Sequence, residues 1–115
     1  MKEIFTRNDD YDKTAFLNWR TSKQQDVENL IVLAEGYLLS AIQLTKCCLV
    51  DNSDKKADIL IFPILNNANH GIELYLKALI WTLNKLQKSI KKIEGSHNIK
   101  QMLDLVKGKF WIIKI

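Results

Sequence analysis

A line of polar residues on a predicted helix carries most of the chemistry that this sequence offers. At about 3.6 residues per turn, these residues fall within about 60° of one another on a helix that is otherwise strongly apolar. Glu73 and Lys77 form an i,i+4 pair in the favourable orientation, and His70 lies one turn before Glu73, within hydrogen-bonding reach. The line predicts a binding groove or residual active site, or else the solvated edge of a buried helix. Its members are Asn66, His70, Glu73, Lys77, Asn84 and Lys88.

Motifs of the common catalytic and metal sites are missing from the sequence. His70 and Glu73 have the i,i+3 spacing of a ligand pair in helical bundles, but the only other histidine, His97, belongs to a different predicted element. No nucleophile elbow, phosphate-binding loop or C-x-x-C motif occurs. We therefore predict no catalytic residue, no metal ion and no cofactor.

The composition indicates one soluble domain spanning residues 1–115, with 47% hydrophobic and 26% charged residues. The sequence shows no secretory signal, and we predict no membrane span because no run approaches about 20 apolar residues. Cys47 and Cys48 are adjacent and would point about 100° apart on a helix. We expect them to be reduced core residues of a cytoplasmic protein, with a reactive thiol or metal ligand as the alternative.

A long first helix is predicted over about residues 22–50, after Thr21 and Ser22 and before the turn-forming residues that begin at Asp51. Asp26 and Glu28 lie in its first turns, where the helix dipole favours acids. A shorter N-terminal element is expected within residues 1–20. The apolar side chains of the long helix step by three and four, which predicts one core-facing stripe. The stripe comprises Val27, Leu30, Ile31, Ala34, Leu38, Ala41, Thr45 and Cys48.

The second long helix is predicted to begin at Pro63, because the residue before a proline avoids helical geometry, and to end near Ser89. A kinked helix that begins near Asp58 is the alternative. Between Ile72 and Leu83 this helix is apolar on nearly every side, so we expect it to be the central helix. Its predicted core stripe comprises Leu65, Ala68, Ile72, Tyr75, Leu79, Leu83 and Leu86.

A short third helix is predicted over residues 98–107, with Ser96 as its cap and Gly108 just past its end. Its predicted core residues are Ile99, Met102, Leu103 and Val106. The tail, residues 110–115, is expected to pack as an extended segment, to add a strand to a partner or to form a short helical end. These elements predict an all-α, small antiparallel helical bundle with two long helices and shorter N- and C-terminal elements.

Positive charge is concentrated in the second half of the chain. Residues 61–115 hold nine lysines against three acids, whereas residues 1–60 hold eight basic residues against ten acids. Such a basic surface predicts contact with phosphate or an acidic protein, or simply a solvated face. Both arginines lie outside the basic half, which disfavours nucleic acid as the partner. The lysines proposed as contacts are Lys85, Lys88, Lys91 and Lys92.

Two stretches, residues 67–80 (NANHGIELYLKALI) and residues 95–103 (GSHNIKQML), occur in order. Together they resemble the HEPN superfamily of small prokaryotic helical domains, over residues 63–107. The resemblance implies an up-and-down helical bundle, often dimeric. It places Glu73 and Lys77 as a pair on the central helix and His97 at the start of the third. Relative to that pattern the C-terminal part is shortened, which is expected to leave apolar surface for a partner.

Many HEPN proteins are ribonucleases of toxin–antitoxin or abortive-infection systems, and their signature is an Arg followed one to two helical turns later by a His. That signature is missing here, because neither Arg7 nor Arg20 has a His at that distance. The resemblance therefore favours a non-enzymatic binding protein, of the antitoxin or immunity type, that neutralises a bacterial toxin. An RNA-binding or RNA-cleaving protein that uses His70 and His97 is the alternative, and a structural dimerisation module is a further one.

The binding hypothesis selects a set of contact residues. We expect a protein partner, allow for a homodimer, do not favour RNA and expect no membrane. Phe110 and Trp111 in the tail are the expected hydrophobic anchors, since tryptophan is enriched at binding hot spots. The other contact candidates are Asn66, His70, Glu73, Lys77 and His97, together with the four lysines named above.

Overall fold

The computed structural model describes residues 9–10, 12, 26–88 and 97–112, with side chains as far as residue 110. Three helices account for most of this part: α1 (Asp26–Val50), α2 (Lys56–Leu86) and α3 (Ile99–Ile112). No strand occurs within the described residues. A five-residue connection folds α1 back along α2 as a helical hairpin, and α3 packs against the C-terminal half of α2. The all-α class is therefore confirmed.

The predicted apolar stripe of α1 does face the core. Ala34 and Ala41 are buried, and the other six stripe residues are partly buried. The predicted end of α1 near Asp51 is confirmed, since the helix ends at Val50. Its predicted start near Thr21 lies outside the described residues, as does most of the expected N-terminal element. Small residues on the stripe let α1 approach α2 closely.

The connection between α1 and α2 is held by side chains that bind backbone amides. Asp51 Oδ1 accepts a hydrogen bond from Ser53 N at 2.9 Å, and this bond, with a further one from the Ser53 side chain, lowers the pKa of Asp51. Asn52 Oδ1 accepts from Ala57 N at 2.9 Å. Lys55 has a φ of 57°, the left-handed geometry that turns the chain into α2.

The predicted start of α2 at Pro63 is wrong. The helix begins at Lys56 and continues through Pro63, close to the alternative that began near Asp58. The side chains of Asn52 and Asp54 accept hydrogen bonds from the Ala57 and Lys56 amides, so the first turn is already capped. Pro63 therefore removes one hydrogen bond from an established helix and does not begin one.

The C-terminal end of α2 comes slightly earlier than predicted. The helix ends at Leu86, and Gln87 N donates to the Leu83 carbonyl at 2.9 Å. Lys88 has a φ of 49°, a left-handed geometry that stops the helix before Ser89.

The predicted core stripe of α2 is largely wrong. Leu65, Ile72, Leu79 and Leu86 are 54%, 42%, 43% and 70% exposed. Helices α1 and α3 cover two other sides of α2, and these sides hold the residues that are buried. On the side that faces α1, Gly71 has no side chain, so the two helices lie close together there. The side that faces α3 holds Leu76, Ile80 and Leu83, which form one buried cluster with Met102 and Val106 of α3.

The central position of α2 is nevertheless confirmed, since eight of its residues are buried, more than in either other described helix. Gly71 lies where α2 closely approaches α1. A Cβ placed on Gly71 would lie 2.6 Å from Leu38 Cγ and 3.1 Å from the Ala34 carbonyl oxygen. Only glycine fits this contact without a shift of α1.

The third helix is longer than predicted, Ile99–Ile112, and it passes through Gly108. Gly108 is therefore not the residue that follows the helix end. Asn98 caps the helix, since its Oδ1 accepts from Gln101 N at 3.1 Å, while Ser96 lies outside the described residues. Met102 and Val106 are buried as predicted, but Leu103 is 40% exposed. Of the predicted conformations of the tail, the helical end is the one observed, as far as Ile112.

Candidate functional site

The centre of the polar line is a carboxylate between two helices. Glu73 is 7% exposed and faces α3 from the middle of α2. Its Oε1 accepts a hydrogen bond from Lys77 Nζ, one turn further along α2, so the structure contains the pair that the spacing predicted. The same oxygen lies 3.0 Å from Nδ1 of His97, which comes just before α3. This site, Glu73 with Lys77 and His97, ties the start of α3 to the central helix.

His97 is the accessible member of the site. Its side chain is 75% exposed, whereas that of Glu73 is 9% exposed. The contact of Nδ1 with a carboxylate orients the ring and leaves Nε2 for another partner. Sequence reasoning placed His97 on a separate element from Glu73, and the fold brings the two together across 24 residues.

His70 contacts the site only loosely. Its Nδ1 is 3.8 Å from Glu73 Oε2, an ion-pair distance and too long for a hydrogen bond. Its ring instead packs edge-on against Tyr37 of α1, with ring centroids 4.4 Å apart and an interplanar angle of 89°. His70 therefore lies between α1 and the Glu73 site, and the hydrogen bond that the sequence suggested is not formed.

The acidity of Glu73 reflects its surroundings. Burial alone would raise the pKa of this carboxyl, but hydrogen bonds from Lys77 and His97, and the positive charges of both, more than offset it. The net result is a pKa below the ordinary value of 4.5. The carboxylate is therefore charged at neutral pH, which a proton-accepting or histidine-orienting role requires.

The polar line is not one open groove. Asn66 and Lys88, at its two ends, are exposed, but Asn84 is 9% exposed and Glu73 is buried. The polar line therefore has exposed residues at its two ends and buried residues between them. The interpretation as a solvated edge is therefore wrong for Glu73 and Asn84, which are buried, while a binding groove or residual active site stays a prediction.

The proposed lysine contacts divide into two groups. Lys85 and Lys88 are exposed at the C-terminal end of α2, while Lys91 and Lys92 lie outside the described residues. Lys109 is not part of any exposed basic surface, since it is 7% exposed. Its Nζ donates to Gln87 Oε1 at 3.3 Å, and Gln87 Nε2 donates to the Lys109 carbonyl at 3.0 Å. These two bonds hold α3 against the end of α2.

The predicted hydrophobic anchors are partly described. Phe110 is 56% exposed on α3, so its ring is accessible to a partner. Trp111 lies in the last turn of α3, and its side chain is outside the described residues. Cys47 is exposed and Cys48 is half-buried, so the expectation that both are core residues is wrong for Cys47. Both are free thiols.

Sequence reasoning missed the most exposed apolar surface of the described residues. Leu49 and Val50, in the last turn of α1, are 80% and 86% exposed. Ile59 and Phe62, in the first two turns of α2, are 75% and 74% exposed. All four lie at the loop end of the hairpin. Ile59 and Phe62 were overlooked because a helix beginning at Pro63 leaves them in a linker.

Two other kinds of site bear on function, a metal site and a membrane span. No group of three or more His, Cys, Asp or Glu side chains able to hold a metal ion occurs among the described residues. By length and composition alone α1 could cross a membrane, a test that core helices of soluble proteins also pass. In this structure α1 packs along α2 through its apolar stripe.

No family model, curated protein or solved structure matches this chain.

Proposed function

We propose that this chain is a non-enzymatic, HEPN-like binding protein of the antitoxin or immunity type, acting in the cytoplasm. In this proposal it neutralises a toxin by covering part of that protein's surface. The observation that carries the proposal is the concentration of exposed apolar side chains at the loop end of the hairpin. Surfaces of this kind usually mark sites of protein–protein contact.

The chemistry of this end of the hairpin suits a protein partner. Four large apolar side chains within about two turns of one loop offer the desolvated centre that binding hot spots require. The loop and the first residue of α2 carry both acids and lysines, namely Asp51, Asp54, Lys55 and Lys56. A mixed polar rim around an apolar centre is the usual anatomy of a protein interface, whereas a nucleic-acid surface would be uniformly basic.

The test is a binding measurement with matched variants. The partner is identified by affinity purification of the tagged chain from its native cells and is then purified. We expect Phe62→Asp to weaken its binding by at least about a hundredfold, since an unpaired charge in a desolvated interface costs several kcal/mol. Leu33→Asp is the control, because Leu33 is 54% exposed on α1 but lies far from the loop. Equal effects of the two variants would contradict the proposal.

A second function is favoured by the geometry of His97. An imidazole whose Nδ1 is held by a carboxylate, and whose ring is exposed, has the arrangement of a general base. In RNA cleavage, Nε2 would take the proton from a ribose 2′-hydroxyl. That oxygen would attack the adjacent phosphorus to form a 2′,3′-cyclic phosphate, and the bond from phosphorus to the 5′-oxygen would break. The 5′-oxygen would take a proton from water and leave as a hydroxyl, and the resulting hydroxide would take back the proton held by Nε2.

The RNA-cleaving alternative has its own readout. Single-stranded RNA would be incubated with the wild-type chain, with His97→Ala and with Lys100→Ala, whose exposed lysine lies on α3 near His97. The alternative requires cleavage that His97→Ala abolishes and Lys100→Ala largely retains. No cleavage by the wild-type chain, or cleavage that survives in His97→Ala, would exclude it and leave the binding function.

A further inference from the structure

The side of α2 that faces α3 carries the same pattern of residues twice. In each copy a large apolar residue is followed three, four and seven residues later by a leucine, an asparagine and another side-chain amide. The copies start at Phe62 and Ile80, which are 18 residues apart, and this is five turns at about 3.6 residues per turn. Both copies therefore lie on one side of the helix. The first comprises Phe62, Leu65, Asn66 and Asn69, and the second comprises Ile80, Leu83, Asn84 and Gln87.

The second copy is where α3 docks. Ile80 and Leu83 are buried in one cluster with residues of α3. Gln87 Nε2 donates a hydrogen bond to the Lys109 carbonyl, and Lys109 Nζ donates to Gln87 Oε1. The residues of α3 that meet this copy follow one another at steps of four and three, and they are Met102, Val106 and Lys109.

The third helix reaches only the C-terminal half of this side. His97, just before α3, contacts Glu73, and Lys109, near the end of α3, contacts Gln87. The third helix therefore runs in the same direction as α2 and begins beside Glu73. The part of α2 from Lys56 to Glu73, about 25 Å long at about 1.5 Å per residue, lies before the start of α3.

The first copy presents the same pattern to solvent. Phe62 and Leu65 are 74% and 54% exposed, whereas Ile80 and Leu83, at the same angles around the helix, are 0% and 4% exposed. We call this stretch the open segment of α2. It shares two residues with the loop end of the hairpin, so the two surfaces are continuous. Its members, all exposed, are Asp58, Ile59, Phe62, Leu65, Asn66 and Asn69.

We propose that the open segment of α2 binds one amphipathic α-helix of the protein partner, placed end to end with α3. The inference rests on the proposed function, since this partner is the one that contacts the loop end of the hairpin. A helix of 14 residues, the length of α3, spans about 21 Å and fits within the stretch before α3. The pattern of α3 defines the chemistry of the partner helix. It presents two apolar side chains four residues apart, followed three residues later by a lysine or an amide that pairs with Asn69.

Charge at the two ends of the open segment selects the direction of the partner helix. The exposed carboxylate of Asp58 lies at the end near the loop. At the other end, the start of α3 carries the partial positive charge of a helix N-terminus. A partner helix that runs in the same direction as α3 places its positive N-terminus beside Asp58 and its negative C-terminus beside the start of α3. The opposite direction would bring like charges together at both ends.

Binding of the purified partner to matched variants tests the surface. Asn69 lies about 10 Å further along α2 than Phe62, so it probes the open segment away from the loop end. We expect the dissociation constant to rise by at least about tenfold in Asn69→Arg, because a long charged side chain there holds the partner helix away from α2. Gln43→Arg, at an exposed polar residue of α1, is the matched control and should bind as the wild type does. Circular dichroism of each variant checks that the helices remain folded.

The outcomes separate this inference from the proposed function. If Phe62→Asp weakens binding and Asn69→Arg binds as the wild type does, the inference falls and the proposed function stands. If no protein partner is found, or if Phe62→Asp has no effect, both fall. Sedimentation equilibrium of the chain alone covers the remaining occupant. Self-association of the wild type that Asn69→Arg abolishes would assign the open segment to a second copy and overturn the inference.

Peptides that tile the partner's sequence test whether the occupant is a helix. Each is about 20 residues long, enough for about five turns, and is titrated against the wild type and Asn69→Arg. We expect one peptide to bind, to gain a helical circular dichroism signal and to contain the spacing described above. Its binding should weaken in Asn69→Arg. No peptide that gains helix on binding, or equal binding to both proteins, would overturn the inference.

Cysteine cross-linking then tests the direction of the partner helix. The binding peptide is given a cysteine at its C-terminal end and is oxidised with Asn69→Cys or Ile59→Cys, each in a background with Cys47→Ser and Cys48→Ala. A disulfide forms only where the two Cα atoms come within about 7 Å. The proposed direction predicts a disulfide with Asn69→Cys. A disulfide with Ile59→Cys alone would overturn it in favour of the opposite direction.

Discussion

The contact at Gly71 allows a sharp test of how α1 and α2 pack. A Cβ added there would lie 2.6 Å from Leu38 Cγ, 2.9 Å from Leu38 Cδ2 and 3.1 Å from the Ala34 carbonyl oxygen. A shift of the leucine relieves only part of this crowding, because the carbonyl belongs to the backbone of α1. We expect Gly71→Ala to push the two helices apart or to force Leu38 from its rotamer.

The expected magnitude is a difference between two opposing effects. Overpacking a helix contact costs about 1–3 kcal/mol, whereas alanine is favoured over glycine inside a helix by about 1 kcal/mol. Gly36→Ala isolates the second effect, since a Cβ at Gly36 would have no atom within 4 Å. We therefore expect Gly36→Ala to stabilise the chain by about 1 kcal/mol and Gly71→Ala to destabilise it by up to about 2 kcal/mol.

Urea unfolding followed by circular dichroism measures both free energies of unfolding. A double-mutant cycle with Leu38→Ala adds a second check, because removing the leucine side chain should relieve part of the cost of Gly71→Ala. The reasoning would be refuted if Gly71→Ala were as stable as Gly36→Ala, or if the effects of Gly71→Ala and Leu38→Ala were simply additive.

Three other substitutions test the remaining contacts. Pro63→Ala should stabilise the chain by about 1–3 kcal/mol in urea unfolding, because it restores a backbone amide inside α2, and a loss of stability would contradict the helix through Pro63. The pKa of Glu73 is lower in the folded state than in the unfolded state. The ionised carboxylate therefore contributes fully to the free energy of unfolding above about pH 4.5, and this contribution is lost as the pH falls through the folded pKa. In Glu73→Gln, the free energy of unfolding should therefore fall less steeply as the pH is lowered below about 4.5. A pH dependence equal to that of the wild type would show that the Glu73 carboxylate does not stabilise the fold. Gln87→Ala should cost about 1 kcal/mol, since it removes both hydrogen bonds to Lys109, and a change in Tm of less than about a degree would argue against this link.

The sequence predicted α1 well because, within the part of the chain that the structure describes, α1 packs against α2 alone. Its apolar stripe, from Val27 to Cys48, is read directly from three- and four-residue steps. The sequence also predicted where α1 ends, since the residues from Asp51 to Asp54 favour turns.

The core side of α2 could not be predicted from its own pattern. This helix is apolar on nearly all sides, so the choice between the side that holds Ile72 and the side that holds Leu76 depends on where α1 and α3 lie. Ile72 is exposed and Leu76 is buried because α3 packs on the side that also holds Glu73. The start of α2 was missed because capping by Asn52 and Asp54 outweighs the local preference of Pro63.

The candidate site was predicted in part. The pairing of Glu73 with Lys77 follows from their spacing on one helix, and the observed hydrogen bond agrees with it. The contact between Glu73 and His97 spans two elements, so the residues alone could not establish it. The exposed residues at the loop end of the hairpin were not predicted at all, and for Ile59 and Phe62 the reason is that their position depends on the true start of α2.

The most direct test of the central claim is affinity purification of the tagged chain from its native cells, with and without nuclease. Wild type, Phe62→Asp and Leu33→Asp are compared, and the intact masses in each eluate are recorded. We predict a stoichiometric protein partner that survives nuclease, is retained by Leu33→Asp and is lost from Phe62→Asp. Recovery of nucleic acid without a protein, or of the same partner with both variants, would contradict the account.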